Sequence, residues 1–294
     1  MTSFLRHQLL LSGLLSTALS AAACKDLEGA NSAERSTAFS SSPAPAAYET
    51  QPLPKPKAVG PVPKTVIMRK QSEAAVPPQS QLPGDIHVGV PTEVLVPGER
   101  PLRVTHAPAE VDHAIVYLHG MCGNPKGADP WADLAAERGT LIVLRATVPC
   151  PDRPGYKWPT EVTLIQQRVD AALDFVAEER GGLLDKKVLT IVGYSQGANR
   201  AEKLAALAPE RYPLVILGGA PTSPSPELLH PSQRVAILGG ELEDTRHMEA
   251  GYLDLAQAGI ATRFFLLPGA HHGNYGPQGR RVMQEVFTFL DARP

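Results

Sequence analysis

Cysteine is scarce in this chain, with three in 294 residues: Cys24, Cys122 and Cys150. Cys122 and Cys150 stand far apart and the histidines are scattered, a pattern that matches no zinc-ligand spacing, so no metal is expected. Charge of one sign is nearly absent as well. The 28 Lys and Arg against 30 Asp and Glu leave a net charge of −2, which removes the electrostatic case for nucleic acid. Beyond the N-terminal segment no apolar run reaches the roughly 18–20 residues of a spanning helix. No internal repeat at a period of roughly 20–50 residues is visible. What is present is a hydrophobic fraction of 43%, which suits a globular core.

The N-terminus has the order of a secretory signal peptide over residues 1–23. Arg6 and His7 precede the apolar run Leu9–Leu19, and the small residues Ser20-Ala21-Ala22-Ala23 follow. Cys24 directly after three alanines resembles a bacterial lipoprotein cleavage box, in which the cysteine carries lipid and becomes the mature N-terminus. The box departs from the usual pattern at Ala21, where leucine is common, and Ala21-Ala22-Ala23 equally fits an ordinary A-x-A cleavage. The lipoprotein reading is preferred. It also leaves an even pair, Cys122 and Cys150, as a candidate disulfide in an oxidising compartment.

Residues 24–85 read as a tether. SSPAPAAYET, QPLPKPKAVGPVPK and VPPQSQLPG are rich in Pro, Ala, Ser and Lys and lack a periodic apolar pattern. Such a segment buries too little surface to offset its conformational entropy, and its prolines favour an extended course.

From residue 86 onward the texture is that of a folded domain. Short β-like segments at Val88–Val96 and Leu102–Thr105 precede continuous apolar strands at Ala114–Leu118, Leu141–Leu144, Val188–Tyr194, Leu214–Leu217, Val235–Leu238 and Arg263–Leu267. Between them lie helical patterns at Trp131–Arg138, Glu161–Arg180, Ser195–Leu207, Arg246–Ala258 and Gly279–Leu290. Apolar strands alternating with amphipathic helices predict an α/β architecture with a mostly parallel sheet covered on both faces.

The most telling segment is Gly193-Tyr194-Ser195-Gln196-Gly197, set between a buried strand and a helix. Small residues two before and two after the serine suit a turn so sharp that strand and helix backbones nearly touch. The serine at its apex is exposed, and the helix N-terminus offers N–H groups to a developing negative charge. That setting predicts a nucleophilic serine.

With these elements assembled, residues 86–294 resemble the α/β-hydrolase superfamily. GYSQG is similar to its nucleophile elbow, and Leu118-His119-Gly120-Met121 is similar to the oxyanion loop after the third strand. The resemblance implies the chain order Ser, acid, His. His272, in Pro268-Gly269-Ala270-His271-His272-Gly273, is the candidate base, with His271 the alternative. The acid is sought in Gly239–Asp244. Counting from Gly240 reaches Glu243, whereas Asp244 has the commoner chemistry and is slightly preferred; Glu241 is third. By the same resemblance the backbone N–H groups of Met121 and Gln196 form the oxyanion hole. His87, His106, His113, His230 and His247 are expected at the surface. Gly155–Pro159 is expected either to line the pocket or to cap the sheet.

The function implied is an exported serine hydrolase, membrane-held through lipid on Cys24, acting on a small-molecule or acyl ester without a cofactor. The short Pro-rich stretch between Ala220 and Val235 predicts an open site with no helical lid. A serine peptidase and a non-catalytic binding module on the same fold are the alternatives. Nothing in the sequence sets an oligomeric state.

Overall fold

The computed structural model describes residues 82–292, except 85 and 232. The leader over 1–23, Cys24 and the tether up to residue 81 lie outside the described residues. The domain opens with β1 (Thr92–Val94) and β2 (Leu102–Thr105), an antiparallel pair. β3 (Ala114–Leu118) follows, then a 3₁₀ helix (Pro125–Trp131), α1 (Ala132–Ala136) and β4 (Thr140–Leu144). β5 (Val148–Pro149) and β6 (Tyr156–Lys157) make a separate two-strand ladder. After them come α2 (Val162–Glu179), β7 (Leu189–Tyr194), α3 (Gln196–Leu207) and β8 (Leu214–Gly218). β9 (Arg234–Gly240), α4 (Arg246–Gln257), β10 (Ala261–Leu267) and α5 (Gly279–Asp291) complete the chain.

Eight strands form one sheet in the order β1-β2-β4-β3-β7-β8-β9-β10. β2 is antiparallel to both its neighbours, and every pairing from β4 through β10 is parallel. This exchange of β3 and β4, followed by strands in simple succession, is the α/β-hydrolase fold. The reversal has a functional consequence. Chain leaving β3 turns toward β4, whereas β7 lies on the opposite side of β3, and a crevice opens at the carboxyl ends of β3 and β7.

The continuous apolar strands exist because both faces of the sheet are covered. Along β3, Ala114, Val116 and Leu118 enter one core and Ile115 and Tyr117 the other. The first core is closed by Ile165, Val169, Leu173 and Val176 of α2, by Ala198, Ala201 and Leu204 of α3, and by Met248 and Leu255 of α4. The second is closed by Trp131, by Leu134 of α1, and by Val282, Met283, Val286, Phe287 and Leu290 of α5. Each fully buried Leu, Ile, Val or Phe contributes about 1.5–3 kcal/mol relative to exposure.

At the opposite end of the sheet the structure departs from sequence expectation. His106 is buried rather than superficial, at 4% exposure, and bridges to Val88. Burial, then the nearby Arg180 charge, pushes its pKa down to about 4. His113 and His247 are half-buried, while His87 and His230 are exposed as expected. Arg180, just past α2, is fully buried. Its guanidinium donates to the carbonyls of Leu183, Ala107, Pro108 and Val111 at 2.7–3.0 Å, which ties the end of α2 to the β2–β3 connection.

The tightest approach in the domain lies at the other edge, where β7 turns into α3. A Cβ placed on Gly197 would stand 2.0 Å from the Leu118 carbonyl oxygen, and one on Gly193 would stand 2.2 Å from the Gly197 oxygen. Both obstacles are backbone and cannot swing aside. Between them Ser195 adopts φ 53°, ψ −121°, a left-handed conformation that a non-glycine residue holds only when its surroundings dictate it. Gly197→Ala should therefore force α3 off β3 and cost about 3 kcal/mol or more. Urea unfolding of the variant beside the parent protein checks this; a midpoint within error of the parent's would contradict the steric reading.

Candidate active site

Ser195 caps α3 without spending its side chain on a capping bond, so the hydroxyl is left for another partner. That partner is His272. Its Nε2 lies 2.9 Å from Ser195 Oγ, and its Nδ1 lies 2.6 Å from Glu243 Oε2. The three side chains come from the β7–α3 turn, the loop after β10 and the loop after β9. All three loops leave the carboxyl ends of parallel strands, which is why residues far apart in sequence converge.

The carboxylate that meets His272 is Glu243; Asp244, the slightly preferred residue, does not reach it. Glu243 sits in a turn closed by its own N–H on the Gly240 carbonyl, and its Oε1 accepts the Gly240 N–H at 2.6 Å. The carboxyl is folded back over the turn, which directs Oε2 at the imidazole. Asp244 is exposed and engaged elsewhere, in a fork with Arg246 at 2.6 and 2.8 Å. That guanidinium holds its carboxyl well below the usual carboxylate range. Glu241 accepts the Gly269 N–H and so braces the histidine loop. His271 is exposed, and among the described residues its ring makes no hydrogen bond to Ser195 or Glu243.

Electrostatics follow from these contacts. Partial burial of Glu243 opposes its ionisation, but hydrogen bonds from His272 and from the Gly240 N–H outweigh this and hold the carboxyl below its usual range. The Glu243 hydrogen bond raises the His272 pKa against a smaller opposing effect of desolvation. Glu243 is thus anionic and poised to stabilise an imidazolium.

Tyr194, one residue before the serine, anchors the histidine loop. Its hydroxyl donates to the Asn274 carbonyl and accepts the Gly273 N–H, both at 3.2 Å. Burial, reinforced by the Glu243 charge, pushes its pKa up to about 12, so it stays a neutral donor. Its ring lies 5.8 Å from the His272 ring and 5.4 Å from that of Tyr275. Tyr275 in turn packs on Trp131, and Trp131 on Tyr117, so an aromatic chain runs from the core to His272. Sequence reasoning missed this role; the signal was the parity of β7, which turns Tyr194 to the same core as Val192.

The loop after β3 lies against the nucleophile. A Cβ on Gly120 would sit 3.1 Å from Ser195 Cβ. The N–H groups of Met121 and Gln196 have no backbone acceptor among the described residues. His119 fixes the loop from below: Nδ1–H donates to the Gly120 carbonyl at 2.7 Å, and Nε2 accepts the Ala146 N–H at 3.0 Å. Burial lowers its pKa and keeps it neutral, as this pairing of one donor and one acceptor requires. Trp158 Nε1–H donates to the His119 carbonyl at 2.6 Å, and the Trp158 N–H donates to Gln196 Oε1 at 2.9 Å. The aromatic segment therefore braces both arms of the prospective oxyanion hole, and Gln196 contributes its side chain as well as its backbone.

Cys122 and Cys150 are joined in a disulfide, their Cα atoms 6.1 Å apart. Cys122 has φ 55°, and its N–H donates to the Tyr156 carbonyl, so the residue after Met121 is held both covalently and by the β6 strand. Over Ser195 opens a cleft of about 290 Å³, lined by Gly120, Met121, Arg153, Tyr194, His272 and Tyr275 among others. The described residues between β8 and β9 form turns and no helix. Among the described residues no cluster of three or more His, Cys, Asp or Glu is placed to hold a metal ion, and no helix is long and apolar enough to cross a membrane.

No family model matches the chain, and a search of curated proteins finds no similar sequence. Among solved structures it is similar to a carboxylesterase of Bacillus cereus (15% identity, TM-score 0.48, covering 64% of this chain and 93% of that one). It is also similar to an α/β serine hydrolase without a lid from Xanthomonas campestris (16% identity, TM-score 0.48, 71% and 99%). An arylesterase gives 16% identity and a TM-score of 0.49, with 72% and 89% covered.

If Glu243 orients and stabilises His272, Glu243→Gln should lower kcat by roughly 10³–10⁴-fold, while Asp244→Asn stays within a few-fold of the parent. The base works only when neutral. Because Glu243 raises the His272 pKa, the protonated, idle form persists to higher pH, and kcat/KM should fall with acid around a midpoint above the ordinary histidine value of about 6.5. Ester hydrolysis measured from pH 5 to 9 reads both effects. A dead Asp244→Asn protein beside an active Glu243→Gln protein would reverse the assignment.

Proposed function

We propose that this chain is a serine hydrolase that cleaves esters through Ser195, His272 and Glu243. The observation that carries the reading is the unbroken line from Ser195 Oγ through the imidazole to Glu243, at 2.9 and 2.6 Å, on a serine held in left-handed backbone. In this mechanism His272 Nε2 takes the hydroxyl proton as Oγ bonds to the carbonyl carbon. The carbonyl electron pair moves to the oxygen, which the Met121 and Gln196 N–H groups and the α3 N-terminus stabilise. Collapse expels the alcohol with the proton from His272 and leaves an acyl-serine. Water, deprotonated by the same imidazole, then releases the acid and restores Ser195. No step calls for a cofactor.

Direct access to the cleft favours small or extended esters over substrates that require a closing lid. Ser195→Ala should lower turnover of a short p-nitrophenyl ester by roughly 10⁵-fold or more and abolish labelling by a fluorophosphonate, with stability changed by less than about 1 kcal/mol. Turnover retained in that variant, or no labelling of the parent protein, would end the reading.

The proposal extends to where the protein works. The signal order of residues 1–23, the cysteine directly after three alanines and the Pro-rich segment that follows support export and lipid attachment at Cys24, with the domain ranging from a bacterial membrane. Cys24→Ser should move the protein from the membrane to the soluble fraction or block its processing. Parent protein found soluble with an unmodified N-terminal cysteine would leave export without the anchor.

A further inference from the structure

Beside the Ser195 cleft lies a second cavity, of about 310 Å³, that the proposed mechanism leaves unused. The topology of the sheet builds it. β2 runs antiparallel to β4, so residues just before β2 meet residues just after β4 at one edge. Those residues are Arg100 and Arg145, and both line the cavity. Tyr156 of β6 closes another side. His119, Cys122, Gly123 and Asn124 line this cavity and also the Ser195 cleft, so the two spaces adjoin along the disulfide-held turn.

One of the two guanidiniums in this cavity, that of Arg100, has no carboxylate partner among the described residues. The ion pairs at this edge are Arg145 with Glu93 and Arg168 with Glu99, and neither includes Arg100. The Arg100 guanidinium instead lies 3.5 Å from the centre of the Tyr156 ring, which orients the fork without neutralising it. No Asp or Glu lines either space, His119 is held neutral, and Arg153 adds a further positive charge to the cleft itself. The Arg100 guanidinium, oriented on the Tyr156 ring and without a carboxylate partner among the described residues, lines a cavity next to the nucleophile and matches a planar anion presented by the substrate.

We infer that the cavity at Arg100 takes a carboxylate carried by the ester substrate several bonds from the scissile carbonyl, so that the preferred substrates are half-esters of dicarboxylic acids or O-acylated hydroxy acids with a free carboxylate. The inference rests on the ester-hydrolase reading for its substrate class and on the cavity alone for its anion.

Two matched pairs of esters test it. Monomethyl adipate against methyl hexanoate places the carboxylate on the acyl half; 5-acetoxypentanoate against pentyl acetate places it on the alcohol half. The expected result is a higher kcat/KM for the anionic member of at least one pair. Arg100→Gln should shrink that preference roughly tenfold or more, Arg100→Lys should shrink it less, and added salt should weaken it. Calorimetric titration of adipate into Ser195→Ala protein, with and without Arg100→Gln, reads the cavity independently of turnover. Adipate binding lost with Arg100→Gln, in a chain that hydrolyses none of the four esters, supports the anion site and refutes the ester reading. Hydrolysis of the neutral esters with no anionic preference and no adipate binding overturns the inference, as does a preference that survives Arg100→Gln unchanged.

Discussion

The contact between the first turn of α3 and the carboxyl end of β3 governs this domain. Only a residue without Cβ fits at position 197 beneath the Leu118 carbonyl, and that closeness sets the rest. It draws the α3 N-terminus under the β3 loop, so the prospective oxyanion donors at 121 and 196 come from two elements that cannot drift apart. It also bends the chain so sharply that Ser195 is left in left-handed backbone, with its hydroxyl meeting His272. The loops of β9 and β10 then need only reach a fixed point. The bracing around that point is redundant: a disulfide at Cys122, a tryptophan beneath His119, and a tyrosine hydroxyl under the His272 loop.

Much of this was legible in the chain because one physical constraint wrote it there. Strands covered on both faces must be apolar throughout, and so β3, β4, β7, β8 and β9 read as unbroken hydrophobic runs with edges within a few residues of those observed. The turn at Ser195 was legible because steric crowding leaves glycine as the choice at both flanks. Less was visible where no periodicity exists. The 3₁₀ helix before α1 carries an internal proline, and β5 and β6 span two residues each, too short for any alternation.

The carboxylate that reaches His272 shows where residue chemistry misleads. Aspartate is the commoner partner of histidine, but reach is set by the turn, not by habit. A glutamate three residues after Gly240 can fold back and bond that glycine's N–H, whereas the next residue points out to solvent. Arg246, two positions after Asp244, was the overlooked clue, since a local cation occupies that carboxylate. The roles of Tyr194 and Trp158 were hidden for a different reason. Their hydrogen bonds join residues 80 and 39 positions apart; strand parity gives the face of a residue such as Tyr194 but not its partner.

Far from the crevice, Arg180 buries a full charge with carbonyl oxygens, rather than a carboxylate, as its bonded partners. Those carbonyls belong to two stretches, 107–111 and 183, which otherwise are plain connections at the amino end of the sheet. Neither stretch can peel away without stranding the guanidinium in an apolar interior. The two are therefore bound into one opening unit, whose amides should exchange with solvent together and slowly, although each by itself has the look of a loop that would fray first.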